Sequence, residues 1–230
     1  MNTYPKKNFI PNFLRIENFL YIFPIILVSV YYSIYRFQVQ SAVDGGLILS
    51  NIVDYPDNFS NVTGALRDSY TFLHQFTLFF LKLNFSVDLI SVILMSIIFF
   101  FYAFGVYLIC LGISKSKTFS LLVSIVTIVW RPNFGHVDYP VMYFTEYTYG
   151  MFSLATFGMI VGFISNKNYK LTGLFSIILL ASHIIVGIWV LFVLLITLIF
   201  VFKFNKDYSF KSITKGTLIG IPFLIISLLF

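Results

Sequence analysis

The chain has 230 residues, of which 59% are hydrophobic and only 10% charged, and its mean hydropathy is +0.91. A soluble domain carries about 25% charged residues, so this chain cannot cover a water-facing surface, and its apolar content excludes a disordered polymer. The net charge of +6, from 15 Lys+Arg against 9 Asp+Glu, would suggest nucleic-acid binding in a soluble protein. Here the bases form short clusters between apolar runs, the pattern that orients membrane helices, so no nucleic-acid partner is expected. The composition predicts an all-α fold, a polytopic transmembrane helix bundle forming a single domain over residues 1–230 and surrounded by membrane lipids.

Lys6, Lys7 and Arg15 precede the first apolar run, Phe19 to Tyr35. Its length approaches the roughly 20 residues that a helix needs to cross ~30 Å of hydrocarbon. Arg36 follows without a small-residue cleavage site, so the run reads as an anchor rather than a removed signal peptide. The basic tail sets the N-terminus in the cytoplasm. Residues 37–86 are then an outer loop, with Asp44, Asp54, Asp57 and Asp68 against Arg67 as its early base. Within it, Thr71 to Leu83 carries His74, Gln75 and Lys82, too short and too polar to span, and is predicted to lie along the interface. Val87 to Ile113 is a second span, closed by Lys115 and Lys117. Thr118 to Trp130 returns outward to a second outer loop, 131–146, and Tyr147 to Ser165 crosses inward to Lys167 and Lys170.

The next run, Leu171 to Phe202, would be about 48 Å long as one helix, well beyond the hydrocarbon thickness. It would also place Lys203, Lys206, Lys211 and Lys215 outside, against the positive-inside rule. Two short spans with an outer turn near Ser182-His183 and Gly187 resolve both conflicts. The last run, Thr217 to Phe230, heads outward for only about 21 Å and stops while still apolar, so either this helix is re-entrant or, the preferred expectation, the chain is a fragment of a longer protein. The total is about seven spans. Two GxxxG patterns, Gly158 to Gly162 and Gly216 to Gly220, predict close helix packing inside the bundle.

This topology collects Asp44, Asp54, Arg67, Arg131, His136, Asp138 and His183 at the outer face. Ionisable groups beside apolar spans are costly to desolvate, which makes them functional candidates. Asp44 precedes Gly45-Gly46, a carboxylate on flexible backbone at the membrane surface. His136 and Asp138 stand two apart, so on an extended segment they project the same way. With Asp44 or His183 they offer oxygen and nitrogen ligands to a divalent cation such as Mg or Mn. His183 also fits an ordinary buried histidine among apolar neighbours. No Walker loop, GxSxG, HExxH or CxxC occurs.

The layout resembles that of the GT-C glycosyltransferases, integral-membrane enzymes that use polyprenyl-phosphate-linked sugars. Like them, the chain has one span to Tyr35, then an early acid in Val43-Asp44-Gly45-Gly46 and a membrane-parallel segment, Thr71 to Leu83. The closely spaced later spans with a polar turn at Ser182-His183 are similar too. It departs from the family in having a lone Asp44, with Asp54 ten residues on, where a paired acid is usual, and in being about half the usual length. The resemblance implies sugar transfer from a polyprenyl-phosphate donor at the outer face, for cell-surface glycan or lipid modification. Asp44, with Asp54 as second candidate, would be the general base or hold the metal. Arg131 or Arg67 would bind the lipid phosphate, and His136, Asp138 and His183 would do metal or acid/base work. Phe-, Ile- and Lys-rich usage suggests an AT-rich bacterial genome, hence a bacterial inner membrane. The rival reading is a non-enzymatic bundle, either a transporter or flippase type or a membrane partner subunit. A transporter would call for mid-span charges and an internal repeat, and the sequence displays neither.

Overall fold

The computed structural model describes residues 16–35, 43, 46–48, 50, 52, 71–129, 134–136, 139–141, 149–204 and 210–228. The helices are α1 (Ile16–Tyr35), α2 (Phe72–Lys82), α3 (Val87–Ser114), α4 (Lys117–Val129), α5 (Tyr149–Ser165), α6 (Tyr169–Ser182), α7 (Ile184–Phe204) and α8 (Phe210–Ser227). Between α4 and α5 a small hairpin pairs β1 (Phe134–His136) with β2 (Tyr139–Val141), His136 opposite Tyr139. The architecture is a helical bundle.

Local chemistry sets several boundaries. The Ser86 hydroxyl accepts the Leu89 N–H at 3.2 Å, and Asp88 sits in the first turn of α3, where the helix dipole favours an acid. Lys115 adopts a left-handed conformation (φ 58°) and ends that helix. The Asn168 side chain accepts from Leu171 N to open α6. His183 separates α6 from α7: its backbone is extended (φ −156°), its N–H donates to Leu179 O at 2.9 Å, and its carbonyl accepts from Gly187 N at 2.8 Å.

Pairwise packing fixes the helix directions. α1 runs against α3, with the hydroxyls of Ser33 and Ser96 2.6 Å apart towards one end and Tyr21 facing Lys117, at the start of α4, towards the other. α4 folds back on α3, where the Ser124 hydroxyl donates to Ala103 O at 2.7 Å. α3 and α5 are parallel: Phe101 meets Phe152, Gly105 lies against Gly158, and Gly112 against Ser165. α6 returns along α5, pairing Phe175 with Phe163 and Leu179 with Ile160. α7 doubles back on α6 through Gly187 on Leu180 and Val190 beside Leu179. α8 is parallel to α6, Gly216 lying on Lys170 and Gly220 on Ile177. Seven helices, α1 and α3 to α8, therefore alternate in direction.

The alternation creates two unlike ends. Lys115, Lys117, Lys167, Lys170, Lys211 and Lys215 all fall at one of them. The other receives the starts of α3 and α5 and the ends of α6 and α8, and α2 docks there. Phe72 of α2 meets Phe223 of α8 edge-on at 5.1 Å, and Leu73 packs with Ile90, Leu94 and Phe152. Helices α3 and α8 are long and apolar enough to cross a membrane. α7 exposes Ile185, Trp189, Phe192, Ile199 and Phe200, a larger apolar face than a water-soluble surface carries.

Three expectations change in detail. The break in the long apolar run falls at His183 as expected, but Gly187 lies inside α7 rather than in the turn. The last helix starts at Phe210, ahead of the expected Thr217, and its 18 residues span about 27 Å. Apolarity marks where lipid contact begins, whereas lysine is a good helix former and extends α8 backward. The hydroxyls of Thr214 and Thr217 also bond back to Phe210 O and Ile213 O, one turn earlier. Finally, the 131–146 loop holds the short β1–β2 hairpin, an element the loop reading does not include.

Candidate functional site

Helix α2 is amphipathic, but its buried face is not wholly apolar: Leu73, His74, Thr77 and Leu78 all point inward. His74 and Thr77 are fully buried, and Thr71 nearly so. The Thr71 N–H donates to His74 Nδ1 at 3.0 Å, so the side chain at the third helical position satisfies a backbone donor ahead of the first turn. With Nδ1 accepting, a neutral ring carries its proton on Nε2. Burial pushes the His74 pKa down to about 4, which keeps the imidazole neutral at pH 7. Beside it, Thr71 Oγ1 and Gln75 Nε2 are buried with no hydrogen-bond partner among the described residues. An unpaired buried group of this kind costs about 1–3 kcal/mol. One turn on, Thr77 donates to Leu73 O at 3.1 Å.

The segment after α1 crosses this helix. Val43 is fully buried in the cluster formed by Leu73, Ile90, Leu94 and Phe152. Gly46 lies directly on α2: a Cβ there would stand 2.4 Å from Thr77 Cγ2 and 3.3 Å from Leu78 N. Only glycine permits that approach. Ser50 N donates to Gly46 O at 3.0 Å and Ile52 N to Leu47 O at 3.1 Å, the bonds of a short helical turn.

The candidate residues fare unequally. Asp44 and Asp54, Arg67 and Arg131, and Asp138 lie outside the described residues. Of His136 only the backbone is described, at the end of β1. His183 is described and half-buried, and its Nδ1 faces Val186 N at 3.5 Å, a weak cap on the start of α7. It follows the buried Ser182, whose hydroxyl bonds to Ile178 O, and Ile178 packs against the cluster holding Val43 and Leu73. The loop segment around Val43 and Gly46, the polar face of α2 and the His183 turn thus share one end of the bundle.

In sequence, the Thr71, His74 and Gln75 group reads only as the polar part of an interfacial helix. Its signal was there, a Thr-x-x-His opening an amphipathic run, but the same residues also explain why the segment does not span. Chemically, a neutral imidazole, a hydroxyl and an amide suit hydrogen bonding to a hydroxyl or an anionic oxygen. They lack the carboxylate oxygens that commonly supply most of a hard-cation site. Among the described residues no three His, Cys, Asp or Glu side chains come together to hold a metal. Described charges near this end are Lys82 and Asp88, flanking the α2–α3 turn.

No protein-family model matches this chain, and no curated protein or solved structure shows significant similarity to it.

Proposed function

We propose that the chain is a seven-span integral membrane protein that acts as a GT-C-type glycosyltransferase. In this reading it lies in a bacterial inner membrane with its N-terminus in the cytoplasm and transfers a sugar from polyprenyl phosphate at the outer face. The observation that carries the reading is the packing of Val43 and Gly46 onto α2 at the end opposite the lysines. These two residues flank Asp44 in the sequence, and the reading takes that acid to lie with them at the α2 end. The positive-inside rule orients the lysine end to the cytoplasm and the α2 end outward. All seven alternating helices then cross the bilayer, the shorter ones with local thinning or tilt.

In the transfer, Asp44 takes the proton of an acceptor hydroxyl as its oxygen attacks the anomeric carbon of the sugar. The bond from that carbon to the phosphate oxygen breaks, and polyprenyl phosphate leaves. Arg131 or Arg67 neutralises the leaving phosphate, since a guanidinium fork matches its oxygens. Asp54, His136, Asp138 and His183 are the further candidates for acid/base work or for holding Mg or Mn, which would supply charge neutralisation at the phosphate. His74, neutral and buried, is a positioning residue that fixes the start of α2.

Binding of polyprenyl phosphate to the purified chain, with and without Mg²⁺ or Mn²⁺, tests the proposal. Saturable binding that weakens in Asp44→Asn supports it. Equal, weak binding in every condition removes the enzymatic reading and leaves a non-enzymatic membrane bundle.

A further inference from the structure

We propose that the lysine end of the α6–α8 pair binds the phosphate headgroup of an anionic phospholipid. The inference rests on the membrane reading above but not on glycosyltransfer.

The two helices run parallel, α8 starting about one turn before α6. Gly216 of α8 lies in close contact with Lys170 O and Leu174 N of α6, and Gly173 with Ile213 O and Thr217 N. The glycines let the backbones touch, which brings the Lys170 and Lys215 positions close across the pair. Around that contact stand Lys167, just ahead of α6, Lys170 in its first turn, and Lys211 and Lys215 in the first two turns of α8, all four exposed. From Lys167 to Phe230 the sequence has six lysines and one acid, Asp207. The positive ends of two parallel helix dipoles add to the same potential.

The location selects the ligand. Each lysine stands where an apolar helix ends, at the level of lipid headgroups, and its long stem lets the ammonium reach the phosphate plane. Clustered bases just cytoplasmic of membrane helices attract anionic lipids. The α3–α4 turn offers a contrast at the same end of the bundle. Lys115 donates to Gly112 O at its own helix terminus, and Lys117 lies over the Tyr21 ring at 5.6 Å. These two lysines come from one turn, whereas the α6–α8 group comes from two helices in backbone contact.

The test is thermal unfolding of the purified full chain in neutral detergent, with phosphatidylglycerol, phosphatidylcholine of the same acyl chains, or inorganic phosphate added at equal concentration. Phosphatidylglycerol is expected to raise the midpoint saturably, and high salt to abolish the rise. Combining Lys170→Gln, Lys211→Gln and Lys215→Gln should at least halve it, while Lys82→Gln and the pair Lys115→Gln and Lys117→Gln leave it intact. If the triple variant does not fold, native mass spectrometry of Lys215→Gln should count fewer retained phosphatidylglycerol molecules than wild type. An equal rise with phosphatidylcholine or inorganic phosphate, or a full response in the variants, overturns the proposal. Retention of the chain in carbonate-washed membranes separates the two readings. Extraction by carbonate sinks the membrane reading itself, and retention without lipid preference sinks this proposal alone.

Discussion

Substituting Gly216 by alanine tests whether the α6–α8 contact is as close as described. The added methyl would fall 1.9 Å from Lys170 O and 2.9 Å from Leu174 N, whereas ordinary contacts begin near 3.4 Å. Both obstructing atoms are backbone, so no side chain can rotate away. The helices must separate by about 1.5 Å, a misfit in the range of overpacking, about 1–3 kcal/mol. Alanine recovers up to about 1 kcal/mol of helix propensity, leaving a net loss of about 1–2 kcal/mol. Gly158→Ala in α5 is the matched control, because its methyl would meet nothing within 4 Å. There only propensity acts, and stability should rise by about 0.5–1 kcal/mol. Titrating purified chains in neutral micelles with a denaturing detergent and following helical circular dichroism measures both. Equal losses in the two variants, or a gain in Gly216→Ala, would refute the reasoning.

Three further outcomes follow from named contacts. Ser33→Ala removes the hydroxyl pair that joins α1 to α3 and should cost about 0.6 kcal/mol, the average for interhelical hydrogen bonds in membranes, read in the same titration. For His74, the folded pKa of about 4 lies below the ordinary 6.5, so the unfolded chain binds more protons between those values. Stability is full above pH 6.5 and declines towards pH 4, by at most about 3 kcal/mol. His74→Asn should flatten that slope in a midpoint-against-pH series, and an unchanged slope would show that another group titrates. Gly46→Ala drives a methyl into Thr77 and loosens the segment that bears Asp44. Polyprenyl phosphate should bind about tenfold more weakly, the equivalent of about 1.4 kcal/mol of misfit, with the α-helical content unchanged.

Much of the helix order is legible because apolar runs and lysine clusters answer to the same physics. The starts and ends of α3 and α5 fall within two residues of the apolar runs that indicate them. The break at His183 follows from a length conflict and from the lysines beyond Phe202, with no local turn motif required. The start of α8 is hidden because hydropathy does not register a helix built through Lys211 and Lys215. Neighbour choice is less visible still. Gly158 and Gly216 occur in the same GxxxG spacing, yet one meets open space on its Cβ side and the other abuts a carbonyl. Only the partner helix distinguishes them. In sequence the site is legible only as one expected end of the molecule, where the reading puts Asp44 and His183, and not as a cluster. Val43 meets Leu73, Ile90, Leu94 and Phe152 across more than one hundred positions of sequence, and no local pattern encodes that meeting. The polar face of α2 was hidden by ambiguity, since His74 and Gln75 serve an interfacial helix and a buried group equally well in sequence.

Everything proposed for the site depends on seven alternating helices crossing the bilayer with the His183 end outward. Single cysteines at positions 183 and 167, placed separately in a Cys110→Ser background, test this directly with a membrane-impermeant thiol reagent. Position 183 should label in sealed cells, and position 167 only after the inner face is opened. Labelling of both positions from the same side, or of 183 from the cytoplasm alone, would contradict the alternation and scatter the site.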